Sequence, residues 1–283
     1  MWLLAAALLL AAPEPAPFIQ DVAWSPDGTL LACSVARGDW DHGGDYDIYA
    51  FRPDGSGVRR LTDAPGPDLW ISWSPDGKRI AFGSSRDGGS EIYVMNADGT
   101  SPARWTEGGG STPSWSPDGK RIVFTRKVDG KSQIFVISAS TAGGHPVRLA
   151  STGANEWNPI WSPDGKRILF YSDREGQGKD QIYTVLEDGT NLRRLTAGEF
   201  NNIFPSWSPD GGRIVFGSVR AGEKGIYVMN ADGSGERKIH EGGYLARYSP
   251  DGRSLAILDG KWPSSRLSIG KADGTDMRSL PPL

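Results

Sequence analysis

The chain is short of cysteine, of histidine and of net charge, and each shortage closes off a class of protein. Cys33 is the one cysteine among 283 residues, so no internal disulfide staples the fold. The string Leu30-Leu31-Ala32-Cys33 resembles a lipoprotein cleavage box. It is preceded by Ser25-Pro26-Asp27-Gly28-Thr29 rather than by an apolar core, so Cys33 reads as a small buried hydrophobe. The three histidines, His42, His145 and His240, fall in different kinds of loop and suggest no metal site. His240-Glu241 opens like a zinc helix but stands in a Gly-rich loop. A net charge of -3 supplies no basic face for nucleic acid. Gly-x-Ser-x-Gly, phosphate-loop and dinucleotide fingerprints are all missing, so no catalytic residue, cofactor or metal ligand is assigned.

Helical periodicity is also missing outside one apolar run at residues 2–12. That run is too short for a comfortable membrane span and fits the core of a secretory signal. Residues 1–17 are therefore expected to be a signal peptide with a Pro/Ala-rich junction, lost from an exported protein. Residues 18–283 are expected to form one domain, with no permanent membrane span.

What the sequence has in quantity is glycine and proline, 38 and 20 residues, spread evenly as turn formers. They belong to a repeat. The motif [Trp/Tyr]-Ser-Pro-Asp-Gly starts at Trp24, Trp73, Trp115, Trp161, Trp207 and Tyr248, at intervals of 49, 42, 46, 46 and 41 residues. A period near 45 residues, full of short strands, is what a four-stranded propeller blade requires. Within each motif Pro presets φ, Asp caps the turn and Gly takes the left-handed conformation. The structural turns are Pro26-Asp27-Gly28, Pro75-Asp76-Gly77, Pro117-Asp118-Gly119, Pro163-Asp164-Gly165, Pro209-Asp210-Gly211 and Pro250-Asp251-Gly252. Buried-strand runs follow at 30–34, 80–84, 122–126, 168–172, 214–218 and 255–259. A third strand, of the Glu91-Ile92-Tyr93 kind, and a short fourth complete each copy. An Asp-Gly turn joins them in five copies and Gly143-Gly144 in the third. The expected fold is an all-β, six-bladed β-propeller with four antiparallel strands per blade. Blades one and six are expected to close the ring by side-chain packing alone, without a shared strand.

These Ser-Pro-Asp-Gly turns, the Ile-x-Phe strands after them and the Ile-Tyr-x-x-x-Ala-Asp-Gly hairpins resemble the TolB-like propeller family and its WD-like repeat relatives. The resemblance covers almost all of residues 18–283. It implies a stand-alone propeller, without the N-terminal α/β domain of TolB, acting as an extracytoplasmic protein-binding scaffold in bacteria. Related propellers accompany serine-peptidase domains. The alternative reading is therefore a propeller enzyme of lactonase, lyase or hydrolase-related type, with a metal at the central channel.

Periodic features build a fold, and function belongs where the period breaks. Turns between strands one and two, and three and four, share one face and are short. The other face carries the variable loops between strands two and three and between blades. Its aromatics, Trp40, Trp70, Trp157, Phe200, Phe204, Tyr244 and Trp262, are the candidate binding residues, since rigid rings gain contact area at little entropic cost. Asp68, Glu107, Glu156, Glu199 and Glu241 are expected to form an acidic rim there, with Asp63 and Asp21 nearby and Arg247 opposed to them. The expected partner is an envelope or secreted protein, bound by a periplasmic or secreted monomer.

Overall fold

The computed structural model describes residues 18–37, 44–149, 153–260 and 265–282. Within them lie 24 strands in chain order, grouped as six four-stranded antiparallel sheets, each built from four consecutive strands. Blade one holds β1 (Ile19–Trp24), β2 (Leu31–Arg37), β3 (Asp45–Phe51) and β4 (Arg59–Arg60). The innermost strands of the next five blades are β5 (Asp68–Trp73), β9 (Ser111–Trp115), β13 (Glu156–Trp161), β17 (Asn201–Trp207) and β21 (Leu245–Tyr248). Each innermost strand touches the next, and β21 touches β1, which closes a ring around a channel. Among the described residues no helix is long and apolar enough to cross a membrane.

The motif turns fold as their chemistry dictates. The Ser25 hydroxyl donates to Asp27 Oδ1 at 2.6 Å and accepts the Leu30 N–H at 2.9 Å, while Asp27 Oδ1 also accepts the Thr29 N–H. Gly28 sits at φ 72°, the left-handed region that costs a β-carbon energy. The Ser–Asp bond recurs in every blade, at Ser74–Asp76, Ser116–Asp118, Ser162–Asp164, Ser208–Asp210 and Ser249–Asp251. In all six turns that serine hydroxyl is the main reason the aspartate pKa lies below its usual value.

The same turns tie blade to blade. Each motif glycine faces the motif proline of the preceding blade, from Gly77 on Pro26 to Gly252 on Pro209, and Gly28 on Pro250 completes the circle. Behind the turns, Arg79 lies 4.5 Å from the Trp115 ring centre, Arg121 4.6 Å from Trp161 and Arg167 4.8 Å from Trp207. An arginine of one blade thus stacks on the motif Trp of the next, and these indoles pack between blades. The sheets bury Phe82, Phe124, Phe170 and Phe216 at one repeating position. Cys33 takes that position in blade one, fully buried, and burial pushes its thiol pKa well up.

Ring closure differs in one respect from packing alone. Among the described residues blades one and six share no strand. However, the Ser265 hydroxyl accepts the Ile19 N–H at 2.6 Å and donates to the Ile19 carbonyl at 3.0 Å, and the Tyr244 hydroxyl donates to that carbonyl at 2.7 Å. Among the described residues β1 has no neighbouring strand on its inner edge, and side chains of blade six satisfy its first backbone groups.

Candidate functional site: the loop-face mouth of the channel

Four innermost strands are interrupted by a β-bulge three residues before the motif aromatic. The residue there is left-handed without being glycine: Trp70 (φ 63°), Thr112 (49°), Asn158 (53°) and Phe204 (51°). Such conformations cost about 1–3 kcal/mol each and gather where a side chain has been re-aimed. Next come Ile71, Pro113, Pro159 and Pro205. Proline has no N–H to leave unpaired at the bulge. Ile71 does, and Asp21 Oδ2 of blade one accepts it at 2.6 Å.

Bulging turns Trp70 and Phe204 toward each other. Blades two and five stand opposite in a ring of six, so their contact spans the channel, with stacked rings 5.6 Å apart. Phe204 also meets Tyr171 edge-on at 5.7 Å and Tyr244 at 6.3 Å, and Tyr171 stacks on Trp157 at 5.4 Å. Five rings from four blades therefore form one cluster at the loop-face end of the channel. Each such pair contributes about 0.5–1.5 kcal/mol beyond area burial. Beside it, between blades five and six, opens an apolar pocket of ≈ 280 Å³, walled by Phe18, Ile203, Phe204, Val219 and Tyr244. Among the described residues its one charged wall residue is Lys224, whose amine lies 5.9 Å from the Tyr244 ring centre.

Four of the aromatics singled out in the sequence, Trp70, Trp157, Phe204 and Tyr244, are thus brought together. All four are half-buried. Phe200 stands apart, half-buried, with the Arg220 guanidinium 4.8 Å from its ring centre. Trp40 and Trp262 lie outside the described residues. The sequence reading missed Tyr171, on β14 (Arg167–Ser172). Its signal is a broken period, since the corresponding residues in blades two and five are Gly83 and Gly217. Gly217 is small of necessity: a β-carbon there would lie 2.2 Å from the Tyr244 carbonyl oxygen.

The acidic rim needs correction. Asp68 is fully buried and takes two hydrogen bonds from Arg86 Nη2, at 2.9 and 3.1 Å. Glu156, equally buried, pairs with Arg174 at 3.1 Å. Both anchor the start of an innermost strand to the loop that follows the second strand. Glu199 and Glu241 are exposed, paired with Lys179 and Lys238. Glu107 is exposed, and its carbonyl accepts Arg126 Nη2 at 2.8 Å. Asp21 lines the channel, and desolvation raises its pKa against the effects of Ser34, the Ile71 amide and Arg247. His240 and Glu241 belong to β20 (Arg237–Glu241) rather than to a loop, and His240 Nε2 lies 3.7 Å from Asp259. Among the described residues no group of three or more His, Cys, Asp or Glu side chains is placed to hold a metal.

Six closed blades, with a repeated motif face and a channel barred by rings at the other face, define a six-bladed propeller of the Ser-Pro-Asp-Gly type. The family model for the TolB beta propeller domain matches residues 18–112, 106–185 and 177–282, and the chain belongs to that family. It is 45% identical over 53 residues to the Protein TolB homolog of Chlorobium luteolum, a stretch covering 19% of this chain and 12% of that protein. The chain thus matches only a small part of this curated relative's length. The TolB structure from Acinetobacter baumannii superposes with a TM-score of 0.75 at 23% identity, over 95% of this chain and 64% of that one. An oligogalacturonate lyase in complex with manganese shares the fold, with a TM-score of 0.64 at 16% identity, over 93% of this chain and 77% of that one.

Proposed function

We propose that this propeller is an exported, non-enzymatic scaffold that docks a partner protein on its loop face. The observation that carries the reading is the aromatic cluster with its apolar pocket. Half-buried rings beside a concave apolar wall form a socket that an anchor residue of a partner fills, and such anchors carry most of the energy of an interface. Lys224 on the rim favours a partner segment with a carboxylate next to the apolar side chain. Export rests on the apolar run at residues 2–12, and it makes the partner an envelope or secreted protein. The motif face offers six near-copies of one turn and so has little to distinguish one partner from another.

Photo-crosslinking in the native host tests this. A photoreactive side chain at position 224, on the loop face, is expected to yield one discrete adduct. The same group at the exposed position 190, in an outer hairpin turn of the motif face, is expected to yield none. A discrete adduct at 190 with none at 224 would overturn the assignment of the face.

A further inference from the structure

Inside the ring, on the motif-face side of the Trp70–Phe204 stack, the channel holds a second, partly open cavity of ≈ 270 Å³. Its walls carry Asp21, Trp70, Thr112, Asn158 and Arg247, and Pro26 and Pro250 stand at its motif-face end. We propose that this cavity binds a small zwitterion of free amino-acid size, with its carboxylate on Arg247 and Asn158 and its ammonium on Asp21.

The charges come from a broken period. Three residues before the motif aromatic, the six blades carry Asp21, Trp70, Thr112, Asn158, Phe204 and Leu245; one residue before it, Ala23, Ser72, Ser114, Ile160, Ser206 and Arg247. Each ring of six thus holds one charged side chain, an acid in blade one and a base in blade six, next to each other across the ring closure. Both are held in place by the fold. Asp21 Oδ2 takes the Ile71 amide, and Arg247 Nη1 donates to the Ala246 carbonyl at 3.1 Å and the Phe204 carbonyl at 3.3 Å. Yet the two do not form an ion pair with each other within 4.0 Å. Desolvation pushes the Asp21 pKa up and lowers that of Arg247 to about 10, so each charge is only partly compensated by the other. Asn158 is the independent pointer to a ligand: it is 5% exposed, and its Nδ2 has no acceptor. Burying an amide without a partner costs its desolvation energy with no hydrogen bond in return. A simple anion would satisfy Arg247 and Asn158 but face Asp21, and a simple cation would face Arg247. A molecule carrying both charges complements all three groups. This site is separate from the loop-face pocket and does not depend on partner docking.

The test is calorimetric titration of the purified full chain with each common amino acid, followed by the amide and N-acetyl forms of the tightest binder. At least one amino acid is expected to bind, and each derivative, having lost one charge, about tenfold or more weaker. Asp21→Asn, whose side-chain oxygen still accepts the Ile71 amide, is expected to abolish discrimination against the N-acetyl form. Arg247→Gln is expected to abolish discrimination against the amide. Should Arg247→Gln fail to fold, Thr112→Trp serves in its place. It puts in blade three the residue that blade two already carries in the same conformation, and by filling the cavity it is expected to remove binding while the protein still melts cooperatively. No heat from any amino acid at about 10 mM, or derivatives that bind as tightly as the parent, would overturn the proposal.

Discussion

On the motif face, six turns carry one pattern: serine on aspartate, left-handed glycine, and proline on the neighbouring glycine. On the channel wall, three residues before the motif aromatic, no two blades carry the same side chain. The two regions are built from the same innermost strand, one at its end and the other at its bulge. What separates them is the number of positions that closure of the ring constrains. A motif glycine must meet a proline on the preceding blade, so all six must agree. A bulge points into an open channel, where one blade can carry Trp and the next Thr.

This contrast predicts which substitutions unsettle the fold and which touch only one face. Gly217→Ala is expected to cost most, about 1–3 kcal/mol, because its β-carbon meets the Tyr244 carbonyl oxygen at 2.2 Å. Gly165→Val on the motif face is expected to cost a similar amount, about 1–3 kcal/mol, because φ is 71° there. Urea unfolding measures both. Only the Gly217 variant should also weaken partner binding, since Gly217 lines the loop-face pocket. Equal loss of binding in both would erase the distinction between the faces.

Phe204→Ala comes next. The sequence alone places Phe204 among the aromatics of the variable loops. It lies instead in β17, half-buried against Trp70, Tyr171 and Tyr244. Its removal is expected to destabilise by about 1–3 kcal/mol, less than a full core Phe→Ala. Phe204 is therefore a poor probe of binding alone. Arg121→Ala removes one blade-to-blade stack on Trp161 and is expected to cost about 0.5–1 kcal/mol, read by thermal melting, with no change in binding.

The two regions also respond oppositely to pH. The six turn aspartates have folded pKa values below the usual 3.8, so their stabilisation is present above 3.8 and is lost as pH falls through the lower folded values. Asp21 has a raised folded pKa, so the folded state takes up its proton first, and its contribution falls as pH rises from 3.8 through the folded value. Replacing the turn aspartates with Asn should flatten the acid limb of a melting-temperature profile. Asp21→Asn should raise the neutral limb relative to the acid one. An acid limb unchanged by the turn substitutions would show that those bonds do not set acid stability.

The fold was legible because its determinants are local: five residues specify each turn, and the interval between turns specifies a blade. The site was legible only in part. Trp70, Trp157, Phe204 and Tyr244 stood out as aromatics where the repeat varies, but their convergence depends on bulges that shift the register, and no local pattern announces a bulge. Tyr171 lies inside a strand, where the repeat sets the pattern and one exception carries no local signal of its own. Asp68 and Glu156 looked like rim carboxylates because their partners, Arg86 and Arg174, lie 18 residues further on in another loop. That the same spacing occurs twice was the available clue. Asp21 and Arg247 lie at opposite ends of the sequence, and only closure of the ring makes them neighbours.

The most direct test of the loop face as the docking surface uses the partner identified by crosslinking. That partner is titrated against wild type, Trp157→Ala and Arg121→Ala, with thermal melts of each. Trp157 stacks on Tyr171 within the cluster, whereas Arg121 stacks on Trp161 behind the motif turns. Docking on the loop face predicts that Trp157→Ala weakens binding by about 1–4 kcal/mol while Arg121→Ala binds as wild type. Wild-type affinity for Trp157→Ala, with a melting temperature lowered by several degrees, would show that the rings serve blade packing and would contradict the assignment.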